Sequence, residues 1–184
     1  MNLFISGGCK NGKSFFAQEE AKKQAEEKGV PLYYLATMIP YDEECRRRIS
    51  RHRKMRAAKG FKTIEVPVGL RGISFPSTLK EGRCALLECM SNLAANEIFS
   101  SDGEMRDGEQ VVQEILEGID RLQALCEQVI VVTNELFSDG ARYDPGTEQY
   151  LRALGEINCR IAHRADRVYE VVAGIPILWK GAER

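Results

Sequence analysis

The octapeptide Gly7-Gly8-Cys9-Lys10-Asn11-Gly12-Lys13-Ser14 follows a short apolar run, residues 2–6, and opens a segment rich in Ala, Glu and Lys. It fits the pattern G-x-x-x-x-G-K-S/T, in which each residue type has a physical task. Glycines let the backbone wrap so that its N–H groups converge on phosphate oxygens. The lysine brings a point charge to the outer phosphates, and the hydroxyl suits a magnesium ion. A helix starting at Lys13 would turn its positive end towards the same anion. The first elements are therefore constrained to a strand, a wrapped loop and a helix, with the carboxyl end of the strand open to ligand. Gly29 and Pro31 stop that helix near residue 28.

The rest of the chain repeats the alternation. Strands are expected at 31–36, 62–66, 84–88, 128–133 and 167–172, with a last edge strand at 176–179. Helices are expected at 41–59, 90–99, 108–127 and 147–165, and 100–107 reads as a polar loop. Residues 67–83, punctuated by Gly and Pro, are the least legible. Several strands are continuously apolar, as in Cys84-Ala85-Leu86-Leu87 and Val129-Ile130-Val131-Val132, which is the mark of a parallel sheet covered on both faces. With 184 residues, 43% hydrophobic and 29% charged, one α/β domain spanning 1–184 is expected.

The formal net charge of -1 speaks against general nucleic-acid binding, so any basic function must be local. The six cysteines are scattered, with no C-x-x-C pair and no histidine at ligand spacing. They read as reduced thiols rather than a zinc site or disulfide framework. No apolar stretch approaches membrane-spanning length. A cytoplasmic protein without membrane insertion is expected.

A phosphate loop needs an acidic partner for its metal at the end of a neighbouring strand. Glu88, ending Cys84-Ala85-Leu86-Leu87-Glu88, and Glu135, after Val132-Thr133-Asn134, both qualify by sequence. A second constellation is Arg48-Ile49-Ser50-Arg51-His52-Arg53-Lys54-Met55-Arg56. Arg48 and Arg56 stand four residues either side of His52, on one helical face. Such cations disfavour the imidazolium, leaving a neutral nitrogen able to attack phosphorus while guanidiniums hold a triphosphate. The same run also reads as a solvated basic face, or, less well because no aromatics are interleaved, as an RNA patch. His163 has no comparable setting and reads as a structural or surface residue.

Taken in order, these residues resemble the bifunctional adenosylcobinamide kinase / adenosylcobinamide-phosphate guanylyltransferase family. The resemblance rests on the Gly7 to Ser14 loop, Tyr34-Leu35-Ala36-Thr37, Arg48-Ile49 followed by His52, and Phe61-Lys62-Thr63-Ile64-Glu65-Val66-Pro67. It continues through Leu86-Leu87-Glu88-Cys89, Val132-Thr133-Asn134-Glu135, Asn158, Ala165-Asp166-Arg167-Val168 and Val171-Val172-Ala173-Gly174-Ile175-Pro176. It implies a three-layer P-loop NTPase-type (RecA-like) α/β fold with a mainly parallel central sheet, usually a homotrimer. It also implies two reactions using ATP or GTP and Mg²⁺. A nucleoside triphosphate first phosphorylates the aminopropanol hydroxyl of adenosylcobinamide. The histidine matching His52 then takes GMP from GTP as a phosphoramidate and passes it to the corrinoid phosphate.

Carried over position by position, His52 and Lys13 are catalytic. Gly7, Gly8, Cys9, Lys10, Asn11, Gly12, Lys13 and Ser14 hold phosphates, and Ser14 with Glu88 serves the metal. Ala36, Thr37, Met38, Arg53, Lys54, Arg56, Glu65 and Glu88 line the nucleotide. The chain departs from the family at Lys10-Asn11, in the spacing between His52 and Phe61, and most of all over residues 136–145. Two other readings remain at this point. One is a P-loop kinase of another small alcohol, with His52 structural. The other is a nucleotide-binding regulatory module without turnover.

Overall fold

The expected alternation of strand and helix is realised from the first residue described. The computed structural model describes residues 2–41, 43–76, 82–99, 103–138 and 140–182. Within the second helix, the side chains at 44, 45, 48, 51, 52 and 55 fall outside that description. The elements run β1 (Asn2–Ser6), α1 (Lys13–Lys28), β2 (Leu32–Ala36), α2 (Glu43–Ala58), β3 (Lys62–Glu65) and β4 (Cys84–Glu88). There follow α3 (Met90–Ile98), α4 (Gly108–Leu125), β5 (Gln128–Val132), α5 (Pro145–Arg164), β6 (Arg167–Val172) and β7 (Ile175–Lys180).

The strands form one sheet in the order β3-β2-β4-β5-β1-β6-β7. Every pairing is parallel except β6 with β7, a hairpin at the edge. Because β5 lies between β1 and β4, the loop-bearing strand is separated from the strand ending in Glu88. Helices cover both faces, as the continuously apolar strands require. Phe4, Leu35, Ala85, Leu87, Val129 and Val131 face the side that α3, α4 and α5 cover. Leu3, Ile5, Tyr34, Ala36, Leu86, Ile130 and Val132 face the α1 side. Alternation along each strand produces this division. Among the described residues, no helix is long and apolar enough to cross a membrane.

Several boundaries moved for local reasons. α5 begins at Pro145 rather than 147, because the Asp144 carboxylate accepts from the backbone N–H of Gly146 (3.0 Å) and Thr147 (3.1 Å). Proline suits the first helical position, where its missing N–H costs nothing. α4 starts where expected, capped by Asp107, whose carboxylate accepts from Gln110 N–H at 2.9 Å. β7 is longer than 176–179, since hairpin pairing runs from Val172↔Ile175 to Val168↔Lys180. In the illegible segment, Leu70–Gly72 forms a 3-10 turn that buries Leu70 in the large core. Glu97 secures it by accepting from the Gly69 N–H at 2.6 Å.

Candidate active site

The carboxyl ends of the parallel strands open at one edge of the sheet, where α/β proteins bind ligands. The register aligns Glu65 with Ala36, Ala36 with Glu88, and Glu88 with Val132. Registered neighbours point to the same face, so Glu65 and Glu88 both project towards the α1 side. They stand two strands apart, about 10 Å at some 4.8 Å per strand step, so they address different parts of a ligand.

The loop after β1 wraps as its sequence requires. Gly7 has φ 145° and Gly12 φ 89°, backbone conformations that favour glycine. A Cβ on Gly7 would run into the Val171 carbonyl oxygen, and one on Gly12 would come within 3.2 Å of Gly174 Cα. The β6–β7 hairpin thus presses directly on the loop, and Gly174 N–H donates to the Asn11 carbonyl at 3.0 Å. Lys13 is buried at 6% exposure, with its ammonium donating to the Gly8 carbonyl at 2.5 Å. Burial pulls its pKa down, opposed by Cys9, Cys89 and Glu88 around it.

The Ser14 hydroxyl donates to Glu88 Oε1. Glu88 Oε2 is buried and has no hydrogen-bond partner among the described residues. Glu135, the alternative acid, is employed elsewhere. Its Oε1 accepts from Phe137 N–H (2.8 Å) and the Ser138 hydroxyl (3.0 Å), closing the turn that follows β5. Its own N–H donates to the Gly7 carbonyl at 2.9 Å, so its backbone braces the loop while its carboxylate closes the turn. The pair Ser14 and Glu88 suits Mg²⁺, which takes few protein ligands and completes its shell with phosphates and water. An unsatisfied buried carboxylate oxygen is the observation that favours a cation there.

The other expected residues divide. Ala36 is buried, Met38 half-buried, and Glu65, Arg53 and Lys54 exposed. Cys9, Lys10 and Gly12 are exposed, Gly8 and Asn11 half-buried. Thr37 has a different employment from the one expected. It is fully buried, its hydroxyl accepts from Cys89 N–H (2.8 Å) and donates to the Cys89 carbonyl (2.9 Å), and its N–H donates to the Glu88 carbonyl (3.3 Å). Asn96 completes the clamp by donating to the carbonyls of Thr37 (2.8 Å) and Pro67 (2.9 Å). These bonds tie β2 to the end of β4 and fix where Glu88 emerges.

Arg56 also differs from its neighbours. It is 7% exposed, and its guanidinium carbon lies 3.8 Å from the ring centroid of Tyr34. His52 lies in α2, one turn before Arg56; its side chain is outside the described ones. His163 is exposed in the last turn of α5, as expected.

Sequence reasoning missed a polar cluster behind Lys13. Asn134 Nδ2 donates to the Ser91 hydroxyl at 2.7 Å, and Ser91 Oγ lies 3.1 Å from Cys89 Sγ. Burial raises the Cys89 pKa, so this thiol is protonated at neutral pH. The motif Val132-Thr133-Asn134-Glu135 contained the signal, but only strand order shows that Asn134 meets Ser91. Cys9, Cys84, Cys89, Cys126 and Cys159 are all free thiols. Beyond Glu135 a groove of about 470 Å³ opens, lined by Leu136, Tyr143, Tyr150 and Leu151 among others.

Comparison with known proteins agrees with this geometry. The family model described as cobinamide kinase / cobinamide phosphate guanyltransferase matches residues 3–178. The bifunctional adenosylcobalamin biosynthesis protein CobP of Pseudomonas aeruginosa is 32% identical over 181 residues, covering 98% of each chain. Among solved structures, a KaiC-like protein of Pyrococcus horikoshii superposes with TM-score 0.55 at 16% identity, covering 99% of this chain and 79% of that one. The ATPase domain of G40P superposes with TM-score 0.52 at 11% identity, covering 92% and 68%. These two show the fold, a RecA-like P-loop NTPase architecture. A phosphate loop closed by a hairpin, a serine–glutamate pair beside it and a family match over nearly the whole length lead to one assignment. The chain belongs to the cobinamide kinase / cobinamide phosphate guanyltransferase family, the bifunctional enzymes of adenosylcobalamin biosynthesis.

Proposed function

We propose that this chain, as one catalytic domain over residues 1–184, carries out both family reactions in the cytoplasm through a GMP-histidine intermediate on His52. In the first step the hydroxyl of adenosylcobinamide attacks the γ-phosphorus of ATP or GTP, and the nucleoside diphosphate leaves. In the second, a His52 nitrogen attacks the α-phosphorus of GTP, forming a P–N bond as the P–O bond to pyrophosphate breaks. The acceptor phosphate then attacks the same phosphorus, breaks the P–N bond and frees the histidine, giving adenosyl-GDP-cobinamide.

The observation that carries this reading is the Ser14–Glu88 contact beside a buried Lys13, at the edge where the phosphate loop opens. Residues 7–14 cradle the phosphates through backbone N–H groups, and Lys13 neutralises charge that builds on the transferring group. Ser14 and Glu88 would hold Mg²⁺, which supplies further neutralisation of the phosphates when bound. Arg53 and Lys54, exposed on α2, add positive charge for the polyphosphate, and Glu65 offers an acceptor to the ribose or base. The acceptor approaches over the groove lined by Leu136, Ser138, Tyr143 and Tyr150, which adjoins the loop through the Glu135–Gly7 bond. A homotrimer would cover the exposed apolar edge of β7, where Ile175 and Trp179 are 65% and 67% exposed.

The test is incubation with GTP labelled at the α-phosphate. An acid-labile, alkali-stable covalent label that disappears in His52→Ala is expected. Absence of label, with ATP-dependent phosphorylation of a small alcohol intact, would overturn the second reaction and leave a kinase alone.

A further inference from the structure

α2 carries a buried arginine near its carboxyl end. Among its described side chains Arg56 alone is buried, while Arg46, Arg47, Arg53 and Lys54 are exposed. Burying a guanidinium against a sheet needs a partner for its charge. The Arg56 guanidinium lies over the Tyr34 ring at 3.8 Å. Tyr34 is 5% exposed, in the middle of β2, and Phe61 meets its ring edge-on at 5.9 Å and 88°. Arg56 Nε is buried without a hydrogen-bond partner among the described residues. The face of the ring is therefore a principal compensation for desolvating this cation.

The stack is continuous with the end of the helix. The Arg56 carbonyl accepts from Lys59 N–H (3.0 Å) and Phe61 N–H (3.1 Å), which turns the chain from α2 into β3. The Lys59 ammonium then donates to Gln18 Oε1 and Glu19 Oε1, each at 3.2 Å, joining this corner to α1. The carboxyl end of α2 is thus tied to both the sheet and the helix that follows the phosphate loop. Tyr34 also faces Glu88, whose strand pairs with β2.

We propose that the Tyr34–Arg56 stack sets the position of α2 over the site, making Tyr34 a positioning residue for the step carried by His52, one turn before Arg56. The inference rests on the reading of His52 as the nucleophile. Phosphoryl transfer from ATP depends on the loop and α1 rather than on the placing of α2, and Tyr34→Phe, which loses the hydroxyl that faces Glu88 but keeps the ring, reports any effect through Glu88 separately.

Two variants separate the ring from its hydroxyl. Tyr34→Phe keeps the face and Tyr34→Leu removes it; Tyr34→Met, which fills the space without a π face, serves if the leucine variant does not fold. Labelling from α-phosphate-labelled GTP is followed in single turnover at rising GTP concentration, beside phosphorylation of adenosylcobinamide from ATP. The maximal labelling rate should fall about tenfold or more in Tyr34→Leu and stay within about twofold of the parent in Tyr34→Phe, as loss of a desolvated cation–π contact implies. The concentration of GTP giving half-maximal rate and the phosphorylation rate should each stay within about threefold of the parent. An unchanged labelling rate in Tyr34→Leu would overturn the proposal. So would a loss confined to GTP affinity, which would make Arg56 a direct nucleotide ligand, or an equal fall in both reactions, which would mean general damage. Label persisting in His52→Ala would instead overturn the nucleophile on which the inference rests.

Discussion

The two faces of the sheet are built to different rules. Under α3, α4 and α5 lie large, fully buried side chains, including Leu87, Met90, Leu93, Ile98, Ile115, Ile119, Leu122 and Leu154. On the other face the sheet is equally bulky, but α1 presents small residues to it. Ala17, Ala21 and Ala25, one helical turn apart, let the helix backbone approach so closely that Cys84 Sγ lies 3.5 Å from the Ala21 carbonyl oxygen. Beyond α1, α2 carries a buried arginine stacked on Tyr34. The cations buried among the described residues, Lys13, Arg56 and Arg167, lie on this second side, Arg167 paired with Glu20 of α1. The first face is dominated by apolar burial, its buried Glu97 being paired with Arg106, while the second holds cations at the cost of desolvating them.

This contrast can be broken from either side. The largest effect is expected from Lys13→Ala, which should lower phosphoryl and guanylyl transfer by about 10³-fold, the scale for losing a positioned transition-state donor. Because burial already disfavours the lysine's charge, the melting temperature should hold or rise; a large loss of thermal stability would show that Lys13 is structural. On the opposite face, Leu154→Ala should destabilise the fold by about 2–5 kcal/mol in denaturant titration. The folded fraction should keep its kcat, and a selective loss of turnover would contradict the division between faces.

Overpacking the close approach sharpens the comparison. Ala21→Leu should cost about 1–3 kcal/mol of stability and also weaken nucleotide binding, because α1 carries Lys13 and Ser14 at its start. Stability loss alone would mean that the loop keeps its shape when α1 is displaced. The smallest effect is expected at the α5 cap. Hydrogen bonds from the Thr147 hydroxyl and N–H, and from Gly146 N–H, hold the Asp144 carboxyl below its usual pKa. A depressed carboxylate contributes stability that is complete above its unfolded pKa and fades as pH falls through the folded value. Asp144→Ala should therefore lose a little stability at neutral pH and none at pH 2, read as melting temperature against pH. An equal loss at both pH values would mean the cap acts without its charge.

Much of the fold was legible in local patterns. Asn2–Ser6, Cys84–Glu88 and the body of α4 declared themselves because apolar periodicity and the wrapped glycines are local properties. The Leu70–Gly72 turn was not legible, since its buried position depends on α4 packing from far along the chain. The start of α5 was missed by two residues, although Asp144-Pro145 carried the capping signal.

The site divides in the same way. From sequence alone came the phosphate loop, its lysine and serine, and a family resemblance to which His52 owes its proposed role. By residue pattern Glu88 and Glu135 were equivalent strand-end carboxylates; the resemblance chose Glu88, and the tertiary structure sets it beside Ser14. Placing Glu88 beside Ser14 requires residues 74 apart to meet across a sheet in which β5 intervenes. Only the tertiary structure shows that the Thr37 hydroxyl clamps Cys89 and that Arg56 stacks on Tyr34. Backbone conformation and side-chain periodicity are set within a few residues and can be read there. Strand order, and the partner a buried polar group must find once water is removed, are set by contacts between distant segments.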